Sequence, residues 1–224
     1  MVMPAVHLHS VSMVTLYDLP TKTTPGTTMT WRARYALNLK DLPYQAVDVE
    51  LPDAEAFAKK IGAAPASTKP DGVSPFYTIP IIQDDSTGTV GSDSAAVAAY
   101  LEKTYPFSGP ITIKINDATA AYCMRVRMDG VAKVDAAEGE EREKLWAKAK
   151  DNLGKMNKWF EGNEGDLVMG PNKPSYADTA SCAFLQSTRT MLREESEEWK
   201  DVASWNDGRW GTYLESFKPY EKLL

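Results

Sequence analysis

The first half of the chain keeps switching between two hydrophobic spacings. Val11 to Tyr17 alternates in part and is rich in β-branched residues, which predicts a strand. Pro20, Pro25 and Gly26 forbid a continuous element, so Leu19 to Thr28 reads as a loop. Trp31, Tyr35 and Leu39 then recur at helical spacing, the stripe of a helix from about Thr28 to Lys40. Tyr44, Ala46, Val49 and Leu51 mark a strand over Pro43 to Leu51, and Asp53 to Ile61 forms a short helix stopped at Gly62. Ala63 to Pro75 reads as a loop containing Lys69-Pro-Asp-Gly72. Tyr77 to Gln83 is a strand, Asp84 to Gly88 a turn, Thr89-Val90 a short returning strand, and Ser94 to Lys103 an Ala/Val/Leu-rich helix. The order β-α-β-α-β-β-α predicts an α/β unit over residues 11–105.

Past Tyr105-Pro-Phe-Ser-Gly-Pro110, whose two prolines and glycine predict a linker, only helical spacing remains. Asp117 to Val134 reads as one helix, with a possible break at Gly130, and Glu138 to Phe160 as another. In the latter, Trp146, Ala149, Leu153, Met156 and Phe160 step by three and four residues along one apolar face. Glu138, Glu140 and Glu141 open it and Lys155 and Lys158 close it, the sense its dipole favours. Ser175 and Asp178 stand at the spacing of a reciprocal helix cap. The tryptophans at 199, 205 and 210 read as core. Residues 111–224 are therefore expected to form an all-α domain.

Composition narrows the function. A chain of 224 residues can hold one large or two modest domains, and 43% hydrophobic with 25% charged residues is ordinary for a globular protein. A net charge of −6 without a Lys/Arg run disfavours nucleic acid. No apolar run approaches the roughly 20 residues that span a bilayer. Met1 to Ser12 lacks a basic start and a continuous apolar stretch, so it reads as a loose extension and not a secretory signal. Cys123 and Cys182, far apart and in no CxxC, fit buried free thiols in a reducing compartment; a cytoplasmic location is expected. His7 and His9, both in that extension, are the only histidines, which disfavours a zinc site or a Ser/Cys-His pair; no metal is expected.

Candidate chemistry begins at Tyr77-Thr-Ile-Pro-Ile-Ile-Gln83, followed by Gly91-Ser-Asp-Ser94. Pro80 cannot donate to a strand ladder and belongs at a strand start. An Ile-Pro bond in the cis form would expose the backbone N–H and C=O of Ile79. About a dozen residues on, Asp93 and Ser94 open a helix, whose free N–H groups and dipole suit an anion. A backbone clamp before an anion-binding helix start suits a small peptide bearing carboxylates. Taken singly, the motifs read as a hairpin proline and an ordinary Ser helix cap.

In order and at this spacing, the two motifs resemble the thioredoxin-like half of glutathione transferases, and the resemblance covers the whole chain. It implies a thioredoxin-like α/β N-terminal domain and an all-α C-terminal domain, with glutathione as co-substrate. It places the clamp at Ile79 and Pro80 and the γ-glutamyl site at Asp93 and Ser94. Ser175 and Asp178 match the family's Ser-x-x-Asp motif, which supports folding. Thr27-Thr-Met-Thr-Trp-Arg-Ala-Arg-Tyr-Ala-Leu37 resembles the Ser-Pro-x-x-Trp-Arg-x-Arg-Tyr-Ala-Leu block of bacterial β-etherases and related fungal transferases, with Thr27 on the serine and Thr28 on the proline. Lys59 to Pro65, the Lys69-Pro-Asp-Gly72 insertion and Trp205-x-x-Gly-Arg-Trp210 point to the fungal-specific class A branch.

A hydroxyl at a helix start can stabilise a thiolate, so Thr27 is the candidate activator, with helix capping its competing role, and Thr28 is the alternative activator, read mainly as the cap. Tyr17 is a second, tyrosine-type candidate. Arg32 and Arg34 cannot share a face, and at least one should make a structural ion pair. Lys69 is a candidate for the glycine carboxylate of glutathione, and Tyr77 for the same cleft. An acceptor pocket is expected from Leu19 and Pro20 with Tyr122, Met124, Arg125 and Met128 of the first C-terminal helix. The expected function is conjugation of glutathione to electrophilic aromatic or ether-bearing molecules by a homodimer. The alternative is a carrier of aromatic compounds with weak chemistry.

Overall fold

The computed structural model describes residues 13–20, 28–106, 138–162 and 165–223. The α/β unit is built from β1 (Val14–Asp18), α1 (Thr28–Leu39), β2 (Tyr44–Asp48), α2 (Ala54–Ile61), β5 (Ile81–Asp84), β6 (Thr89–Ser92) and α3 (Ser94–Thr104). A two-stranded hairpin, β3 (Ser67–Thr68) with β4 (Pro75–Phe76), interrupts it. The main sheet runs β2-β1-β5-β6, with β1 and β2 parallel and the other two pairs antiparallel. This is the thioredoxin-like arrangement. The helical half carries α4 (Gly139–Asn157), α5 (Tyr176–Leu192) and α6 (Glu197–Phe217).

One core serves both halves. Trp31, Tyr35 and Leu39, the predicted stripe of α1, are buried with Tyr176, Cys182 and Leu185 of α5 and with Tyr213, Leu214 and Phe217 of α6. Helix α1 is thus clamped between the sheet and α5, and the C-terminal tail crosses its end. Asn38 donates to the carbonyls of Tyr220 (2.6 Å) and Lys222 (3.0 Å). A second, smaller cluster lies under the clamp: Ile79 and Ile81 pack with Val49, Ala54 and Ala58, and Tyr17, Leu19, Phe57 and Tyr77 cover them.

The reciprocal cap at α5 forms as its spacing predicts. Ser175 N and Oγ both donate to Asp178 Oδ2 (2.7 and 2.6 Å), and Asp178 N donates back to Ser175 Oγ at 3.4 Å. Asp178 Oδ1 also takes Val168 N (2.9 Å) and Tyr213 Oη (2.7 Å). Burial pushes this carboxyl up, and the four donors pull it back. Cys182 is buried and free, as expected, and burial pushes its thiol up; Cys123 lies outside the described residues.

Several element bounds differ from the sequence reading. Leu19 to Thr28 gives way to α1 at Thr28 as expected, but β2 stops at Asp48 and a 3-10 turn, Leu51–Asp53, leads into α2. The segment read as a loop over 63–75 holds the β3–β4 hairpin, whose turn is closed by Asp71 accepting from Val73 N and Ser74 N. The strand read from Tyr77 begins only at Ile81, because Pro80 cannot donate to a ladder. The helix spanning Trp199 breaks inside: Asn206, Asp207 and Gly208 take φ of 54°, 61° and 78°. Gly208 adopts that region freely, and Asn and Asp tolerate it best among the rest. Trp210 Nε1 donates to Asn206 Oδ1 at 2.9 Å across the break.

Candidate functional site

The clamp has the form the sequence predicts. The Ile79–Pro80 bond is cis. Strand pairing begins at Ile81, so Ile79 lies just outside the ladder, and its carbonyl takes the Thr78 hydroxyl at 3.2 Å. Its side chain is wholly buried in the smaller cluster, which leaves the backbone as the part that can face a ligand.

Next to the clamp, β6 delivers the chain into α3 through Asp93, which takes φ 71° and ψ 126°. That combination is sparsely populated for a residue with a Cβ and costs roughly 1–3 kcal/mol. The return is a cap: Asp93 Oδ1 accepts from Ala95 N (2.9 Å) and Ala96 N (3.1 Å). This corrects the alternative in which Ser94 caps the helix. Ser94 is the first helical residue, 4% exposed, and its Oγ lies 2.8 Å from the hydroxyl of Tyr176 at the start of α5. The helical half thus reaches the start of α3, at one end of the candidate site.

The end of β1 is pinned to α1. Arg34 Nε and Nη2 donate to Asp18 Oδ2 (2.9 and 2.5 Å), and Asp18 Oδ1 takes Leu19 N at 2.7 Å. Arg34 is therefore the expected structural ion pair. Leu19 is half-buried in the cluster beneath the clamp, so the structure gathers Leu19, Tyr77 and Ile79 on one side of the sheet. Pro20 follows, exposed. Thr28 begins α1; Thr27, Tyr122, Met124, Arg125 and Met128 lie outside the described residues. Tyr17 donates to Gln83 Oε1 at 3.0 Å, and burial raises its phenol, so it offers no ready anion.

Lys69 Nζ pairs with Glu55 Oε2 at 3.3 Å, and Lys59 holds the other oxygen at 2.8 Å. Lys59 and then Lys69, both bonded to it, hold the Glu55 carboxyl below its ordinary range. Lys59 also stands over the Tyr77 ring at 5.4 Å. Lys69 and Tyr77 thus share one charged rim beside the clamp. Lys69 and Glu55 are both substantially exposed, so a ligand carboxylate can compete for the lysine at little cost.

Among the described residues, no group of three His, Cys, Asp or Glu could hold a metal. A cavity of about 450 Å³ lined by Leu39, Leu167, Pro171, Phe217 and Tyr220 shares no residue with the clamp. Sequence reasoning missed Tyr176 and the Asp18 partner of Arg34. Both are long-range pairings that no local pattern encodes.

Two family models match the chain: Glutathione S-transferase, N-terminal domain, over residues 28–104, and Glutathione S-transferase, C-terminal domain, over residues 94–220. A glutathione S-transferase of Ceriporiopsis subvermispora, solved in complex with glutathione, is 32% identical with a TM-score of 0.83, over 94% of this chain and 98% of that one. Glutathione transferase GSTFuA3 of Phanerochaete chrysosporium is 27% identical, also with a TM-score of 0.83, over 96% of this chain and 100% of its own. A Tau class transferase of mango shares the fold at 15% identity and a TM-score of 0.63, over 92% and 90% of the two chains. No curated protein sequence matches.

Proposed function

The chain belongs to the glutathione S-transferase family, and from that premise we propose that it binds glutathione at the clamp and the α3 start and transfers its sulfur to electrophilic aromatic or ether-bearing molecules. The observation that carries this reading is the pairing of Ile79, free of the ladder, with the capped helix start at Asp93 and Ser94. The backbone of Ile79 takes the cysteinyl unit in an antiparallel pair of hydrogen bonds. The α3 start, with Ser94, receives the γ-glutamyl carboxylate, and Asp93 its ammonium. Lys69 takes the glycine carboxylate, exchanging its exposed bond to Glu55. Tyr77 walls the cleft.

The chemistry is thiolate attack. The thiol loses its proton to solvent, and the sulfur pair forms a bond to an electrophilic carbon as the leaving group departs with its own pair. A free thiol near pKa 8.5 is little ionised at neutral pH. Thr27, next in sequence before α1, supplies the hydroxyl that stabilises the anion, with the helix dipole behind it; Thr28 takes the role of cap. The acceptor meets Leu19 and Pro20 on one side and Tyr122 and Arg125 on the other. We place the active form as a homodimer in the cytoplasm.

A carrier of aromatic compounds that keeps the glutathione site is the second reading, favoured by Thr27 and Thr28 where the resemblance has Ser and Pro. Glutathione-dependent turnover of a panel of electrophiles, with ligand competition alongside, separates the two. Binding without turnover establishes the carrier.

Ser94→Ala is expected to weaken glutathione by roughly 1–3 kcal/mol, the range for stranding a charged acceptor. Affinity measured by calorimetry and unchanged by the substitution would remove Ser94 from the site. Thr27→Val is expected to raise the pKa of bound glutathione by about one unit or somewhat more, since one hydrogen bond to a charged group is worth roughly 1.5–3 kcal/mol. Thiolate absorbance against pH reads this directly. Neutral-pH turnover should fall and partly recover in alkali. A shift in Thr28→Val but not in Thr27→Val would move the role to Thr28.

A further inference from the structure

Buried guanidinium groups ordinarily face a carboxylate, and Arg34 does. Arg32 does not. It is 5% exposed, its Nε is buried with no hydrogen-bond partner, and no carboxylate pairs with it among the described residues. Its neighbour is the Tyr176 hydroxyl: burial raises that phenol, and the Arg32 guanidinium is the chief influence pulling it down. Tyr176 in turn lies 2.8 Å from Ser94 Oγ. All three side chains are nearly out of solvent: Arg32 on α1, Tyr176 at the start of α5 and Ser94 at the start of α3.

We propose that Tyr176 is a positioning residue which, with Arg32 behind it, aims the Ser94 hydroxyl outward and so selects a ligand carboxylate at the α3 start. The argument is one of donor supply. A guanidinium has only donors and a positive charge, so beside it the Tyr176 proton turns away. The single Tyr176 proton is then left for Ser94 Oγ. Ser94 receives that bond, and its own proton is released toward the ligand. The reverse direction would leave the Tyr176 proton with no acceptor on either Ser94 or Arg32. Hydrogen bonds in such a chain polarise one another, and in a dry setting the charge at its inner end is felt at the outer end. A carboxylate needs that help, because the Asp93 carboxylate stands beside it, offset only by the two backbone N–H groups it caps.

The inference rests on the glutathione reading above and names the γ-glutamyl α-carboxylate as the group selected. Its test is calorimetric binding of two ligands: glutathione, and 4-aminobutanoyl-cysteinyl-glycine, the same peptide without that carboxylate. Tyr176→Phe is expected to weaken glutathione about tenfold, in the range for one hydrogen bond to a charged group, and to leave the analogue within about twofold. Arg32→Met, an apolar chain of similar reach, should do the same, and with no carboxylate paired to Arg32 among the described residues it strands no buried countercharge. Should Tyr176→Phe fail to fold, Arg32→Met decides. Equal loss for both ligands would reveal a packing role and overturn the proposal, as would no loss for either. If the unaltered protein does not bind glutathione, the site reading fails and takes this inference with it. If it binds and the variants do not discriminate, this inference alone fails.

Discussion

Asp178→Asn should cost about 3–5 kcal/mol of stability, the range for breaking a buried charged network from one side. Asp178 is wholly buried and receives four donors: Ser175 N and Oγ on one oxygen, Val168 N and Tyr213 Oη on the other. An amide presents one oxygen and one NH2. Whichever way it turns, its NH2 faces one backbone N–H, which cannot accept, and one hydroxyl, which must reverse its bond to do so, and a stranded donor carries a desolvation penalty of about 1–3 kcal/mol. Urea unfolding followed by tryptophan fluorescence reads the loss. The damage should extend to the ligand site, because Tyr176 stands two residues before Asp178 on the first turn of α5. Asp178→Asn should therefore weaken glutathione as well, even at a temperature where the variant is still folded. A cost below about 1 kcal/mol would mean the four donors find other partners, and the cap would be an ordinary surface one.

The legible parts of this protein were those written in local spacing. The stripe Trp31, Tyr35, Leu39 gave α1 and its buried face, and Ser175 with Asp178 gave the start of α5. The Ile79–Pro80 step and the Asp93-Ser94 pair located the candidate site. The β3–β4 hairpin escaped because each strand is two residues long and exposed, with no alternation to detect. β6 runs on through Gly91 and Ser92, which carry no strand preference; pairing to Ile82 and Ile81 imposes it. Asp93 and Ser94 are both good caps, so pattern could not choose between them; the backbone turn at Asp93 does. Ser94 and Tyr176 are 82 positions apart, and nothing local to either announces the other. Arg32 and Arg34 could be told to face apart, but which one met a carboxylate depended on where β1 ends.

The second large effect is expected at that carboxylate. Asp18 and Arg34 are both nearly out of solvent, 1% and 4% exposed in their side chains. Arg34 also lies 5.9 Å from the ring centres of both Trp31 and Tyr44, and Nη1 reaches Tyr44 Oη at 3.4 Å. Removing one member leaves the other a buried charge, so Asp18→Leu or Arg34→Met alone should destabilise by about 3–5 kcal/mol. Removing both leaves neither stranded. The double variant is expected to recover most of that cost in urea unfolding, because an apolar pair of similar volume is often as stable as a buried ion pair. It should not recover function. Asp18 also holds Leu19 N at 2.7 Å, and it ends β1 where the chain leaves for Thr27. With that hold gone, Leu19 loses its anchor at the end of β1, so the pKa of bound glutathione should rise in the stable double variant, as is expected for Thr27→Val. A double variant that is stable and keeps its thiolate absorbance at neutral pH would show that the pair serves folding alone, and that the loop finds its catalytic geometry without it.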